Sequence, residues 1–149
     1  MELNVISYSK ITNNKVIYKG NEVSIQRTES SWFHDIYRSL KLSYPKFFKM
    51  DHLSKAGFLA SELLLQEEIT DRETPKKDIA ILLMNRSASL DDDRMYQKTI
   101  QDKENYFPSP AVFVYTLPNI VTGEIAIRNK IVGETSFFVS ETFSPKQLY

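Results

Sequence analysis

Between Asn105 and Thr142 the chain reads NYFPSPAVFVYTLPNIVTGEIAIRNKIVGETSFFVSET, and three of its six prolines and two of its four glycines fall inside this stretch. Proline is excluded from helix interiors but accepted at their first turn, and glycine tends to follow their last, so these positions divide the segment. Pro108 and Pro110 open one helical run, Pro118 interrupts it, and Gly133 closes a second. Thr135 to Val139 then has strand character. The predicted order is turn, short helix, break, second helix, cap, strand.

A chain of 149 residues reads as one domain, residues 1–149, long enough to bury a real core. Nineteen basic residues balance nineteen acidic ones, so no global field draws the protein to nucleic acid or to an anionic membrane surface. A hydrophobic fraction of 42% is that of a folded protein and argues against disorder. The chain has no cysteine, which excludes disulfides, thiolate metal sites and a cysteine nucleophile from its own residues. The first ten residues, MELNVISYSK, lack the basic and apolar regions of a signal peptide. No apolar run approaches the roughly 18 residues of a membrane helix, and a cytoplasmic location is the default expectation.

Residues Asn4 to Thr12 alternate, and Asn13-Asn14 separates them from Val16-Ile17-Tyr18. This predicts a hairpin with an Asn-rich turn; one long strand followed by an insertion is the alternative. Lys19-Gly20-Asn21 supplies another turn, and Val23 to Ile25 a further short strand. Trp32, Ile36 and Leu40 recur every four residues behind Ser30-Ser31, predicting a short amphipathic helix that Pro45 ends. From the N-cap candidate Asp51, Leu53, Ala56, Gly57, Ala60, Leu63 and Leu64 follow one face of a second helix. The small residues there imply close approach of another element.

Asp78 to Met84 is a mostly apolar run, predicting a strand buried on both faces, as in α/β sheets covered by helices. Asn85 to Ser89 is then the loop at its carboxyl end, where open α/β sheets place their sites. Asp91, Asp92 and Asp93 lack the alternating ligands and central glycine of a calcium loop. They fit better as the acidic start of a helix over Arg94 to Gln101, so no metal site is expected. His34 and His52 are single histidines on or beside helices, a setting typical of surface or capping residues. No nucleophile elbow, phosphate loop, dinucleotide fingerprint or zinc motif occurs. No cofactor is expected.

Phe107-Pro108-Ser109-Pro110, Tyr115-Thr116-Leu117-Pro118-Asn119, Gly123 to Ile127 and Gly133-Glu134 together resemble the N-terminal part of the β-ketoacyl-acyl carrier protein synthases. Lys49 to Leu53 with the small-residue helix, and the strand Ile79 to Met84, are similar to that family's preceding helix and sheet strand. The resemblance covers roughly Pro45 to Glu141 in matching order. It is closest in flavour to short synthase-like proteins of bacterial polyene and polyketide-type pathways.

What the resemblance implies is the N-terminal portion of a thiolase-like fold, a mixed central sheet covered by helices. In that family a short strand leads to a nucleophilic cysteine, and the corresponding position here falls at or near Thr142. Threonine is a much weaker nucleophile and needs an adjacent base. The family's paired histidines belong to a C-terminal half with no counterpart up to Tyr149, and the helix after the cysteine is expected to be missing too. The chain is therefore expected to be no enzyme on its own. It is read as a ketosynthase-like pseudoenzyme subunit in fatty acid, polyketide or polyene biosynthesis. The alternative is a part of an active 3-oxoacyl-acyl carrier protein synthase completed by a separate chain. Implied partners are a second copy, a ketosynthase in a heterodimer, and acyl carrier protein. Thr135, Phe137, Phe138 and Val139 would form the interface strand. Phe113, Tyr115, Thr116, Pro118 and Asn119 would line a pocket. Core packing is the competing explanation for all of these, and for the aromatics it outweighs ligand contact.

Overall fold

The computed structural model describes residues 4–144 and is of mixed α/β class. The chain divides into two compact units, Met1–Asp71 and Arg72–Tyr149, each with its own elements and buried side chains.

In the first unit β1 (Ser9–Ile11) pairs antiparallel with β2 (Val16–Tyr18), which pairs with β3 (Asn21–Glu22). The hairpin turn is closed by Thr12, whose N–H donates to Lys15 O at 2.8 Å while its hydroxyl oxygen accepts from Lys15 N–H at 3.1 Å. Asn13 and Asn14 form its tip, as the alternation and the Asn pair predict. The paired strand is shorter than the alternating run, because β2 offers three residues between two turns. Val5 and Ile6 are exposed. The third strand also begins earlier than Val23. Lys19 (φ 47°) and Gly20 (φ 85°) are both left-handed, the signature of a two-residue primed turn, so pairing resumes at once with Asn21 opposite Tyr18. By Gln26, whose N–H donates to Ser39 Oγ at 3.0 Å, the chain has left the sheet.

Helix α1 (Trp32–Ser39) is capped by Ser31, as the sequence predicts. It stops well before Pro45. Lys41 takes a left-handed φ of 52°, and Lys41 and Leu42 donate back to Arg38 O and Tyr37 O, closing the helix in a Schellman turn. Pro45 instead starts a 3-10 helix, Pro45–Lys49, at the position where its missing N–H costs nothing.

Asp51 caps α2 (His52–Leu65), accepting from Leu53 N–H at 3.0 Å and Ser54 N–H at 3.1 Å. The buried side of this helix differs from the predicted one. Phe58, Leu59 and Leu63 are inside with Ser54, Ser61 and Glu62, while Leu53, Ala56, Gly57, Ala60 and Leu64 are half-buried. The cause is aromatic bulk: Phe58 stacks on Tyr44 at 5.1 Å and meets Phe47 at 5.7 Å, and Phe47 stacks on Tyr37 at 4.4 Å. Close approach does occur at Ala60, whose carbonyl accepts from Ser9 Oγ on β1 at 3.1 Å.

In the second unit β4 (Ile81–Asn85) pairs in parallel with β5 (Thr135–Val139), from Ile81 opposite Thr135 to Asn85 opposite Val139. Between them run α3 (Leu90–Ile100), α4 (Pro110–Tyr115) and α5 (Ile120–Asn129). Helix α5 packs on both strands and buries Val121 and Ile125. The predicted punctuation holds at Pro110, which lies in the first turn of α4 behind the cap Ser109, and at Pro118, which lies in the break. Two details differ. The left-handed residue closing α5 is Lys130 (φ 55°), with Ile131 N–H donating to Ala126 O at 3.0 Å and Ile131 itself buried. Gly133 serves close approach instead, since a Cβ there would stand 2.2 Å from Ile79 O.

Strand β4 is not buried on both faces. Leu82 is 41% exposed and the other four residues are half-buried, because the sheet has two strands and, among the described residues, α5 is the main helix against it. Helix α3 begins at Leu90 rather than Arg94, which brings Asp91, Asp92 and Asp93 inside its first turn, where carboxylates favour the positive helix end.

Candidate functional site

Because β4 and β5 are parallel, the loops that follow them emerge at the same end of the sheet. The two are joined at their roots, where Ser140 N–H donates to Asn85 O at 2.9 Å. Asn85 then folds its own loop: its Oδ1 accepts from Ala88 N–H at 2.8 Å and its Nδ2 donates to Ala88 O at 2.9 Å. Clamped at both ends, Ala88 is held at φ 49°, a conformation that costs an L-residue other than glycine or asparagine about 1 kcal/mol or more. Arg86 and Ser87 are exposed at the tip.

The base of this loop is tied to the α4–α5 connection. Buried Ser89 donates its hydroxyl to Thr116 O at 2.6 Å, and its carbonyl accepts from Asp92 and Asp93 N–H. Thr116 is thereby brought to the site. Its neighbours are placed otherwise. Phe113 is half exposed and packs on Tyr96 at 5.2 Å, while Tyr115 and Pro118 are half-buried. Asn119 is exposed and accepts from Thr122 Oγ1 at 2.8 Å through its carbonyl, at the start of α5. These five residues form a helix end and a turn.

After β5, Ser140 Oγ donates to Thr142 O at 2.8 Å, and Glu141 and Thr142 are exposed. Among the described residues no base is hydrogen-bonded to the Thr142 hydroxyl, and both histidines belong to the other unit. The strand itself has β4 on one side and, among the described residues, no strand on the other. Thr135, Phe138 and Val139 are exposed and Phe137 is half-buried opposite Leu83. What the site presents is a rim of hydroxyls with the Arg86 guanidinium and the Glu141 carboxylate, and the Ser89 hydroxyl also reaches Asp93 Oδ1 at 3.4 Å. Such a rim can dock a polar group. Among the described residues no group of three or more acidic or histidine side chains is placed to hold a metal ion. No described helix is long and apolar enough to cross a membrane.

The Asn85 clamp and the Ser89 tie were missed by motif reading, although an Asn and a Ser three to four residues apart between a strand and an acidic helix start are a legible signal.

The first unit holds a cavity of about 220 Å³ lined by residues that include Lys15, Glu22, Arg27 and Trp32. Its cations are already paired. Lys15 meets Glu22 at 3.4 Å, and Arg27 lies over Trp32 at 4.6 Å and meets Asp35 at 3.5 Å. Thr28 and Ser30 hydroxyls also donate to Asp35, which is fully buried. Led by the Thr28 hydroxyl, these contacts hold its carboxyl below the usual carboxylate range.

No protein-family model and no curated protein matches this chain.

Proposed function

We propose that this chain is a non-catalytic, ketosynthase-like subunit with a thiolase-like arrangement, acting in fatty acid, polyketide or polyene biosynthesis by pairing with a synthase or an acyl carrier protein. The observation that carries the reading is the parallel β4–β5 pair with its two loops at one end. In the synthases that the sequence resembles, the strand in the place of β5 leads to a cysteine. Here it leads to Ser140-Glu141-Thr142, and the chain contains no cysteine. A hydroxyl without a base does not attack an acyl thioester at a useful rate.

The free side of β5 supports pairing, since an unpaired strand edge with exposed apolar residues is a template for another strand. Two assays test the proposal. Incubated with malonyl- and acyl-carrier protein, the chain alone yields no condensation product; turnover would overturn the non-catalytic reading and favour an active synthase part. In sedimentation, alone and with a ketosynthase, the wild type associates and Phe137→Lys or Val139→Lys does not. Val139 is 58% exposed, so its variant is expected to fold even where the Phe137 variant does not. A monomer that ignores the ketosynthase and is unaltered by both substitutions would remove the pairing claim.

A further inference from the structure

The first unit holds a histidine in a setting that opposes its charged form from several sides. His34 lies in the first turn of α1, where the helix dipole is positive. Its ring meets Phe47 at 6.0 Å and Phe48 at 5.2 Å, both edge-on and both in the 3-10 segment Pro45–Lys49. Its Nε2 is buried and has no hydrogen-bond partner. The nearby charges are Lys55 on α2 and Arg38 and Asp35 on α1, and the Asp35 carboxylate is turned toward Thr28, Ser30 and Arg27. The 3-10 segment itself carries Lys46 and Lys49 in its last turn. An imidazole that is neutral sits in this aromatic niche as an apolar plate; an imidazolium would add a positive charge to those of Lys55 and Arg38, with no acceptor at Nε2 among the described residues.

We propose that His34 is a proton-operated latch: its neutral ring holds the segment Pro45–Lys49 on helix α1, and protonation releases that segment and uncovers Phe47. Only the ring's protonation changes, by uptake of one solvent proton at Nε2. The direction agrees with the physical setting, since burial, Lys55 and Arg38 together hold the imidazole below its ordinary value of 6.5. For a group depressed in the docked state, stability is full above the undocked value and falls as pH drops through it. Undocking would break the stack of Phe47 on Tyr37 and the bond from Tyr44 N–H to Tyr37 Oη at 2.6 Å.

The test uses the intact chain and two readouts. Ring-resolved NMR titration follows His34, and amide protection is measured at Phe47 and Met50, whose N–H groups donate to Tyr44 O and Phe47 O. The expected result is a His34 midpoint below the ordinary histidine value of 6.5. Protection at both amides is expected to fall between about pH 7.5 and 5.5, approaching tenfold for each unit separating docked from undocked pKa. His34→Phe abolishes that fall, and His52→Asn leaves it intact. A His34 midpoint at or above 6.5, or protection that is flat with pH, overturns the latch. Should His34→Phe not fold, His34→Gln serves the same comparison; a fall that persists in either folded variant also overturns it.

Discussion

Replacing Gly133 by alanine tests the geometry that brings β4 and β5 together. The added Cβ would stand 2.2 Å from Ile79 O, 3.1 Å from Ile79 C and 3.1 Å from Lys77 O. All three are backbone atoms, so no side chain can swing away. Relief requires the segments before the two strands to separate by about 1 Å, given normal carbon–oxygen contacts near 3.2 Å. Those segments are stitched by Lys76 N–H to Lys130 O, Val132 N–H to Lys76 O and Ile81 N–H to Glu134 O, each at 2.8 Å. Losing or stretching two of these bonds costs about 2 kcal/mol, and alanine returns about 0.5–1 kcal/mol through a stiffer unfolded chain. The net expectation is a loss of roughly 1–1.5 kcal/mol local to this junction. Amide exchange at Val132 and Ile81 reads it directly, with protection dropping about tenfold or more. Gly123 in α5 is the control, because a Cβ there meets nothing within 4 Å. Gly123→Ala should stabilise by about 0.5–1 kcal/mol. Unchanged protection in Gly133→Ala would refute the argument that the junction needs glycine.

Ala88→Gly relieves the left-handed residue in the Asn85 clamp, and a net gain of about 0.5 kcal/mol is expected in denaturant midpoint after the entropy of glycine is subtracted; a loss would mean the φ of 49° is not strained. Asp35→Asn removes a carboxyl whose folded pKa lies below its ordinary 3.8. Its stabilisation is therefore complete above that value and disappears as pH falls through the folded pKa, so the melting temperatures of wild type and variant should converge at strongly acid pH. A constant offset from neutral to acid would exclude the Thr28, Ser30 and Arg27 contacts as its source.

Ser31 and Asp51 were legible as caps from the sequence, as were the hairpin turn at Asn13-Asn14, the short helix after Pro110 and the strand Thr135 to Val139. Each rests on contacts within a few residues, such as a side-chain oxygen reaching an N–H two or three positions on, and local chemistry suffices for that. The carboxyl-end loop Asn85 to Ser89 was placed as a site for the same reason, by following a strand to its end. What only the tertiary structure decided depends on distant partners. Phe58 turned α2 because Tyr44 and Phe47 stand where its ring can stack. Lys130 took the left-handed cap because Ile131 had an apolar place to fill, leaving Gly133 for the approach to Ile79. Strand β4 stayed half exposed because, among the described residues, one strand and chiefly one helix pack on it. Apolar runs state how much surface is available for burial; the number of elements that arrive to cover it is a property of the folded chain.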